Sequence, residues 1–376
     1  MKKNMKHILC ALLAAALLLT LCACGSTKTA SSASTAAASS AKTSAAASTA
    51  ASASSAASSA AASAAQTTGS SSGETYTISL AHNQTPDAGY GIGVAKLKEL
   101  LAEKDPRIQL DVYDNGTLGN ERDVIEGNQL GTVDVAITSF GVVSNFAALT
   151  AVMNLPFMFK DFDAVEAALN NSAMQPVWDQ IESGAGLKFL GVYSQGFRHV
   201  VSNKGIITSL DDFKGLKIRV PEADLYVNTF TALGASPTPI AWGEMYTSMQ
   251  TGVVDAFENT PVNVIQYNLQ EVSKYETATN HIWDGAIITM NMDAWNALPA
   301  DVQQTFLECV QESATYQRSA INDAATTAIQ QVKDSGMQYA DVSDELHTQL
   351  VDAVASVYTD FYAQYPDAKD IAAAIQ

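Results

Sequence analysis

Two arginines stand where their chemistry could matter. Arg219 lies in Gly215-Leu216-Lys217-Ile218-Arg219-Val220-Pro221, a short apolar stretch closed by proline. Strand alternation puts Leu216, Ile218 and Val220 on one face and Lys217 and Arg219 on the other. Such a strand carries Arg219 toward its C-terminal end, where open α/β sheets hold their ligands. A guanidinium fixed there suits a carboxylate, which it grips through two parallel hydrogen bonds. Arg198 lies in Gln195-Gly196-Phe197-Arg198-His199, a glycine-marked bend between two strand-like runs. The chain has only three other arginines. Arg107 and Arg318 sit in polar surroundings that predict solvation, and Arg122 opens a helix, where the macrodipole does not favour it. Taken singly, Arg198 or Arg219 would serve as well in a surface ion pair of little energetic worth.

Other patterns fail on spacing. Gly89-Tyr90-Gly91-Ile92-Gly93 stands between a strand and a helix but lacks the third glycine of a dinucleotide loop and the Lys-Ser/Thr of a phosphate loop. The five histidines, His7, His82, His199, His281 and His347, keep no metal-ligand spacing with carboxylates or cysteines. Of these, His82 and His199 read as structural residues. Asp111-Val112-Tyr113-Asp114-Asn115-Gly116 fails as a calcium loop at its third position. Residues 74–376 hold neither a Gly-x-Ser-x-Gly elbow nor a Ser-x-x-Lys motif. The expectation is therefore no catalytic residue, no metal and no cofactor.

The elements that must position the arginines alternate between strand and helix. Tyr76–His82 reads as a strand, Asp87–Lys104 as an amphipathic helix and Gln109–Tyr113 as a strand ending in the turn Asp114-Asn115-Gly116. Asn120 caps a helix through Gln129, and Val133–Thr138 is the next strand. A second unit repeats the grammar. Leu187–Tyr193, Phe197–Asn203 and Leu216–Val220 read as strands, Ala223–Leu233 and Trp242–Gln250 as helices, and Val253–Phe257 as a strand. Gln129-Leu130-Gly131-Thr132-Val133-Asp134 and Gln250-Thr251-Gly252-Val253-Val254-Asp255 echo each other as helices closed by a left-handed glycine that feeds a buried strand. This order favours parallel or mixed sheets flanked by helices. The last third is mostly helical, with Ala300–Val332 long enough for a helix of roughly 50 Å. Met337–Val342 reads as a strand and Asp344–Gln364 as a helix.

The two ends bound where such a domain works. Lys2, Lys3 and Lys6 precede the apolar run Ile8–Leu19, an export signal too short for a comfortable membrane span. Residues 26–73 are almost wholly Ala, Ser and Thr, which cannot bury enough apolar area to offset ordering entropy, and so read as a disordered tether. A flexible chain of that length reaches roughly 40 Å. The five basic residues before Glu74 leave 16 basic against 39 acidic residues in the folded part, a net charge of −23. Nucleic acid and anionic headgroups are poor partners for it. Cys10 and Cys22 belong to the signal, and Cys309 reads as a small buried apolar residue.

Four linked motifs carry a family resemblance. They are Lys214–Pro221; Pro237-Thr238-Pro239-Ile240-Ala241-Trp242-Gly243-Glu244-Met245-Tyr246 leading to Asp255-Ala256-Phe257-Glu258-Asn259; Asn115-Gly116-Thr117-Leu118-Gly119-Asn120-Glu121-Arg122; and Val133-Asp134-Val135-Ala136-Ile137-Thr138-Ser139. Together they resemble the DctP-like solute-binding proteins of TRAP (tripartite ATP-independent periplasmic) transporters. Leu21-Cys22-Ala23-Cys24-Gly25 likewise resembles a bacterial lipobox, implying cleavage before Cys24 and its acylation. The resemblance implies an α/β, two-lobed, periplasmic-binding-protein-like clamshell with a long bracing helix. Its parts are a signal peptide over 1–23, an anchor and tether over 24–73, and a binding domain over 74–376.

By resemblance Arg219 pairs with the carboxylate of an organic acid, and Arg198 is a second cationic position. Asn259 hydrogen-bonds the ligand, Asn83 and Glu121 meet its polar end, and Trp242 packs on it or lines the hinge. Phe257 departs from the family's usual Asp-Gly-Gln-Glu-Asn and would alter the pocket's shape. The implied protein is a monomeric receptor on the extracytoplasmic face, anchored to the membrane by lipid. It takes a dicarboxylate, uronate or other sugar acid and delivers it to integral membrane subunits. A tethered sensor of such acids, or a secreted enzyme acting on them, are the rival readings.

Overall fold

The structure, a computed structural model, describes residues Gly73–Gln376. The signal, Cys24 and tether readings lie outside the described residues. Eleven strands occur among them: β1 (Tyr76–Ala81), β2 (Ile108–Tyr113), β3 (Val135–Ser139), β4 (Leu187–Phe197), β5 (His199–Ser202), β6 (Lys217–Val220), β7 (Ser236–Pro239), β8 (Ala256–Asn259), β9 (Tyr275–Ala278), β10 (Trp283–Asn291) and β11 (Gln338–Asp341). They form two sheets, one ordered β2-β1-β3-β10-β4 and the other β11-β9-β5-β8-β6-β7. In the first, β1 runs parallel to β2 and β3, while β10 lies antiparallel between β3 and β4. In the second, β6 runs parallel to β7 and β8, and β5 lies antiparallel between β8 and β9. Each sheet is the centre of a lobe, and both are mixed, as the alternating pattern implies.

The chain passes between the lobes at two strand crossings. The strand expected to end at Tyr193 continues to Phe197, Arg198 alone interrupts it, and β5 begins at His199 in the other sheet. The return runs from β9 through residues 279–282 into β10. A third link is the helix Ala300–Asp334, 35 residues and so about 52 Å long. It packs on the helix Gly89–Lys104 and β4 in the first lobe, and on Pro261–Gln266 and β11 in the second. Its Phe306, Cys309 and Val310 enter the first core and its Val332 the second. The bracing helix and the buried Cys309 thus stand as the sequence implies.

Local signals explain much of this. Asn120 makes a full capping box with Asp123 at the start of Glu121–Leu130. The echo between the lobes is real: Gly131 (φ 74°) and Gly252 (φ 72°) both end helices in left-handed geometry, and a strand begins four residues after each. The Gly89–Gly93 run is a packing device. A Cβ on Gly91 would lie 2.2 Å from the Pro86 carbonyl oxygen, and one on Gly93 would lie 2.4 Å from the Tyr193 ring.

Several expectations need correction. The helix expected over Asp344–Gln364 is two helices meeting at Val354, followed by a third over Asp367–Ile375. These three pack their apolar faces into a core that also contains Phe213 and Phe230 of the second lobe and Met174 of the first. Strand β8 starts three residues later than expected, because the glycine-closed turn extends to Asp255. Strand β10 escapes the alternation test because every residue of it is buried on both faces. Arg318 is not solvated: it pairs with Glu166 and donates to the Val192 carbonyl. Arg107 stays at the surface as expected and there binds Asp105 and Asp301.

Candidate ligand-binding site

The strand ends of both lobes converge on one chamber. Asn83 follows β1, Ser139 ends β3, Arg219 is the penultimate residue of β6 and Asn259 ends β8. Arg198 and Gln195 come from the β4–β5 crossing, and Asp284 from the start of β10. All of these line the chamber, together with Glu121, Trp242, Gln84 and Tyr90. The six residues singled out by sequence are thereby brought together. The inner chamber is about 30 Å³, room for one or two waters. Asn83 and Trp242 also line a larger cavity of about 560 Å³, walled by Asn115, Gly119, Glu244 and Tyr267. Trp242 meets Tyr267 edge-to-face at 4.8 Å and stands as the partition between the two spaces.

Arg198 and Arg219 are both only 3% exposed, yet their surroundings differ. Arg198 donates from Nε and Nη2 to the Glu258 carboxylate, from Nη1 to Asp284 at 2.6 Å and from Nη2 to the Glu258 carbonyl at 2.7 Å. Its guanidinium also lies 5.5 Å over the Tyr226 ring. Burial opposes its charge, but Glu258 and Asp284 outweigh burial and raise its pKa. Burial alone would lift Glu258 as well; Arg198 and His281 reverse this and hold its carboxyl below the usual range. At Asp284 burial prevails over Arg198, and the pKa rises.

Arg219 has no carboxylate partner among the described residues. Nε and Nη2 both donate to the Ile240 carbonyl, at 2.8 and 2.6 Å. Burial lowers its pKa to about 10, which still leaves it charged at neutral pH. Of five guanidinium N–H donors, three remain unspent on Nη1 and Nη2. That is the geometry for an end-on, two-bond carboxylate contact.

The rest of the wall is a hydrogen-bonded frame. Gln84 accepts from the Tyr90 amide at 2.9 Å and donates to Gln195 at 3.0 Å, and Gln195 donates to Asp284 at 3.0 Å. Asn259 Oδ1 accepts from Asn263 at 3.0 Å and from the Thr260 amide at 2.8 Å, so its carbonyl end is fixed. Glu121 accepts from the Ser139 amide at 3.0 Å and hydroxyl at 2.8 Å. Burial raises its pKa to about 7 despite those bonds. Three buried polar atoms of chamber-lining residues have no partner among the described residues: Asn83 Oδ1, Tyr90 Oη and Asp284 Oδ1.

Phe257 does not shape this pocket. It is fully buried in the second-lobe core with Met245, Met249 and Val264, on the face of β8 turned away from the chamber. Sequence reasoning missed Tyr90, Gln84, Gln195 and Asp284. Tyr90 lay inside the glycine run and Gln195 beside Arg198, so position offered a hint for both. Asp284 gave none, because its partner Arg198 is 86 residues away.

Two lobes joined by crossing strands, with a polar chamber between strand ends, define a receptor of the periplasmic-binding class. The chain matches the bacterial extracellular solute-binding protein family 7 over residues 80–365 and belongs to that family, the DctP-like solute-binding proteins of TRAP transporters. It is similar to the C4-dicarboxylate-binding periplasmic protein of Rhodobacter capsulatus, 33% identical over 270 residues covering 70% of this chain and 79% of the relative. A TRAP periplasmic solute-binding protein from Polaromonas sp. JS666, solved with D-erythronate, superposes with a TM-score of 0.76 at 28% identity, covering 80% of this chain and 98% of that one. Another from Roseobacter denitrificans, solved with β-D-glucuronate, gives 0.76 at 27% identity over 80% and 99%.

Proposed function

We propose that this protein is a lipid-anchored extracytoplasmic receptor that captures a small organic acid on Arg219 and hands it to the membrane subunits of a TRAP transporter. The observation that carries this reading is a buried, charged arginine with no carboxylate partner among the described residues. A desolvated charge is costly unless something pairs with it, and the ligand carboxylate is that partner. Asn259 and Asn83 add neutral hydrogen bonds around the ligand; the inner chamber of about 30 Å³ is too small for a whole acid, so binding requires the Trp242 partition to move and join it to the cavity of about 560 Å³. The crossing strands act as the hinge, so that closure reports occupancy to the membrane partner. The relatives' named ligands, a C4-dicarboxylate, D-erythronate and glucuronate, are all carboxylates. Cys24 provides the anchor, and residues 26–73 the reach.

A thermal-shift screen against carboxylated metabolites, each beside its uncharged analogue, tests the reading. Ligand at a hundred times its dissociation constant adds about 2.7 kcal/mol, a shift of a few degrees for a domain of this size. Hits confined to the acids are expected. Shifts by the neutral analogues of equal size, or by no acid in a broad panel, contradict it.

A further inference from the structure

The inner chamber is not balanced for two carboxylates. Arg198 is already spent, with four of its five N–H donors on Glu258 and Asp284. Arg219 keeps three. The chamber therefore offers one cationic group to a ligand. The other unsatisfied atoms around it are of the opposite kind. Among the described residues Asn83 Oδ1 is a buried acceptor without a partner, Asp284 Oδ1 has only the Tyr226 hydroxyl near it, and the Tyr90 hydroxyl, which donates or accepts, is likewise alone. Glu121 adds a carboxylate whose two oxygens each use one lone pair on Ser139 and keep another. One free cation opposite three acceptors complements one carboxylate followed by hydroxyl donors. A second carboxylate in the chamber would stand against Glu121 and Asp284 with no cation left to pair it, a buried and uncompensated charge.

We infer that Glu121 and Asp284 make the site selective by charge: it takes a monocarboxylate bearing several hydroxyl groups and rejects the dicarboxylate of the same length. This rests on the carboxylate clamp proposed at Arg219 and narrows its ligand. Glu121 and Asp284 here touch the ligand's hydroxyls, so they both bind the right acid and repel the wrong one.

Aldonic acids and the aldaric acids made by oxidising their far end form matched pairs of equal length, one charge against two. Calorimetric titration of the purified protein with four- and six-carbon pairs, and with succinate, reads the selectivity directly. The expected result is binding of at least one aldonate, or of the matching uronate, at least thirtyfold tighter than its aldarate. At about pH 8.5, above the value of about 7 to which burial lifts Glu121, Glu121→Gln keeps the shape and removes one negative charge; it should shrink that ratio by about tenfold, chiefly by improving the aldarate. An aldarate or succinate that binds as tightly as the monoacid overturns the inference while leaving the clamp intact. An unchanged ratio in Glu121→Gln overturns the role of Glu121. Failure of every acid to bind, or equal binding to Arg219→Lys, overturns the clamp itself and the inference with it.

Discussion

Arg198 and Arg219 border the same chamber and are equally buried, but the protein completes only the first. Arg198 meets two carboxylates at the strand crossing, with His281 bonded to one of them, and the cluster ties the β4–β5 crossing to β8 and β10 where the chain passes between the lobes. Arg219 meets a single backbone carbonyl. Burial pushes both guanidinium pKa values down; at Arg198 the ion pairs reverse it, and at Arg219 nothing does. A buried charge that is satisfied internally belongs to the scaffold. One that is left unsatisfied marks where a partner from outside is expected.

The comparison breaks most visibly on stability. Arg198→Met strands Glu258 and Asp284 in the interior and should cost about 3–5 kcal/mol in denaturant unfolding. Arg219→Met removes an uncompensated charge and should leave the free protein as stable as before, or more so. Equal losses in the two variants would erase the distinction. The reverse asymmetry belongs to ligand binding. Arg219→Lys keeps the charge but loses the two-bond geometry, and should weaken the cognate acid by about 2 kcal/mol, roughly thirtyfold, on titration.

Glu121 sharpens the picture through pH. Its pKa stands at about 7 in the folded protein against 4.5 for an ordinary glutamate, because burial disfavours the charged form. The folded state thus holds a proton that the unfolded state releases. The stability this contributes is complete below about pH 4.5 and is lost as pH rises through 7. Full desolvation would put the change at about 3 kcal/mol; Glu121 is only half-buried, so a smaller value is expected. Glu121→Gln should flatten that part of the pH–stability curve, and an unaltered curve would remove Glu121 as its source. The smallest effect concerns Phe257, which packs in the core and not in the chamber. Phe257→Leu should cost about 1 kcal/mol of stability and leave affinity unchanged; altered affinity would show that Phe257 shapes the pocket after all.

How much of this was legible in the sequence depended on the range of the signal. Capping by Asn120, the left-handed Gly131 and Gly252 and the proline-stopped strand around Arg219 are local, and each marked an element that forms. The clamshell and the grouping of Asn83, Glu121, Arg198, Arg219, Trp242 and Asn259 came from linked motifs, since no local rule joins residues so far apart. What stayed hidden is non-local. Strand β10 has both faces buried and so no alternation, and the pairing of Arg198 with Glu258 and Asp284 spans 60 and 86 residues. Nothing in the composition around Arg198 reveals that it is ion-paired; only its distant partners do.

The central claim is that Arg219 is the cation kept free for the ligand. The most direct measurement is calorimetric titration of one binding acid into the protein and into Arg219→Met, with unfolding of both free proteins alongside. The account predicts a loss of affinity of at least a hundredfold with undiminished stability of the free variant. An Arg219→Met protein that binds the acid as the parent does, or that unfolds as readily as Arg198→Met, would contradict it.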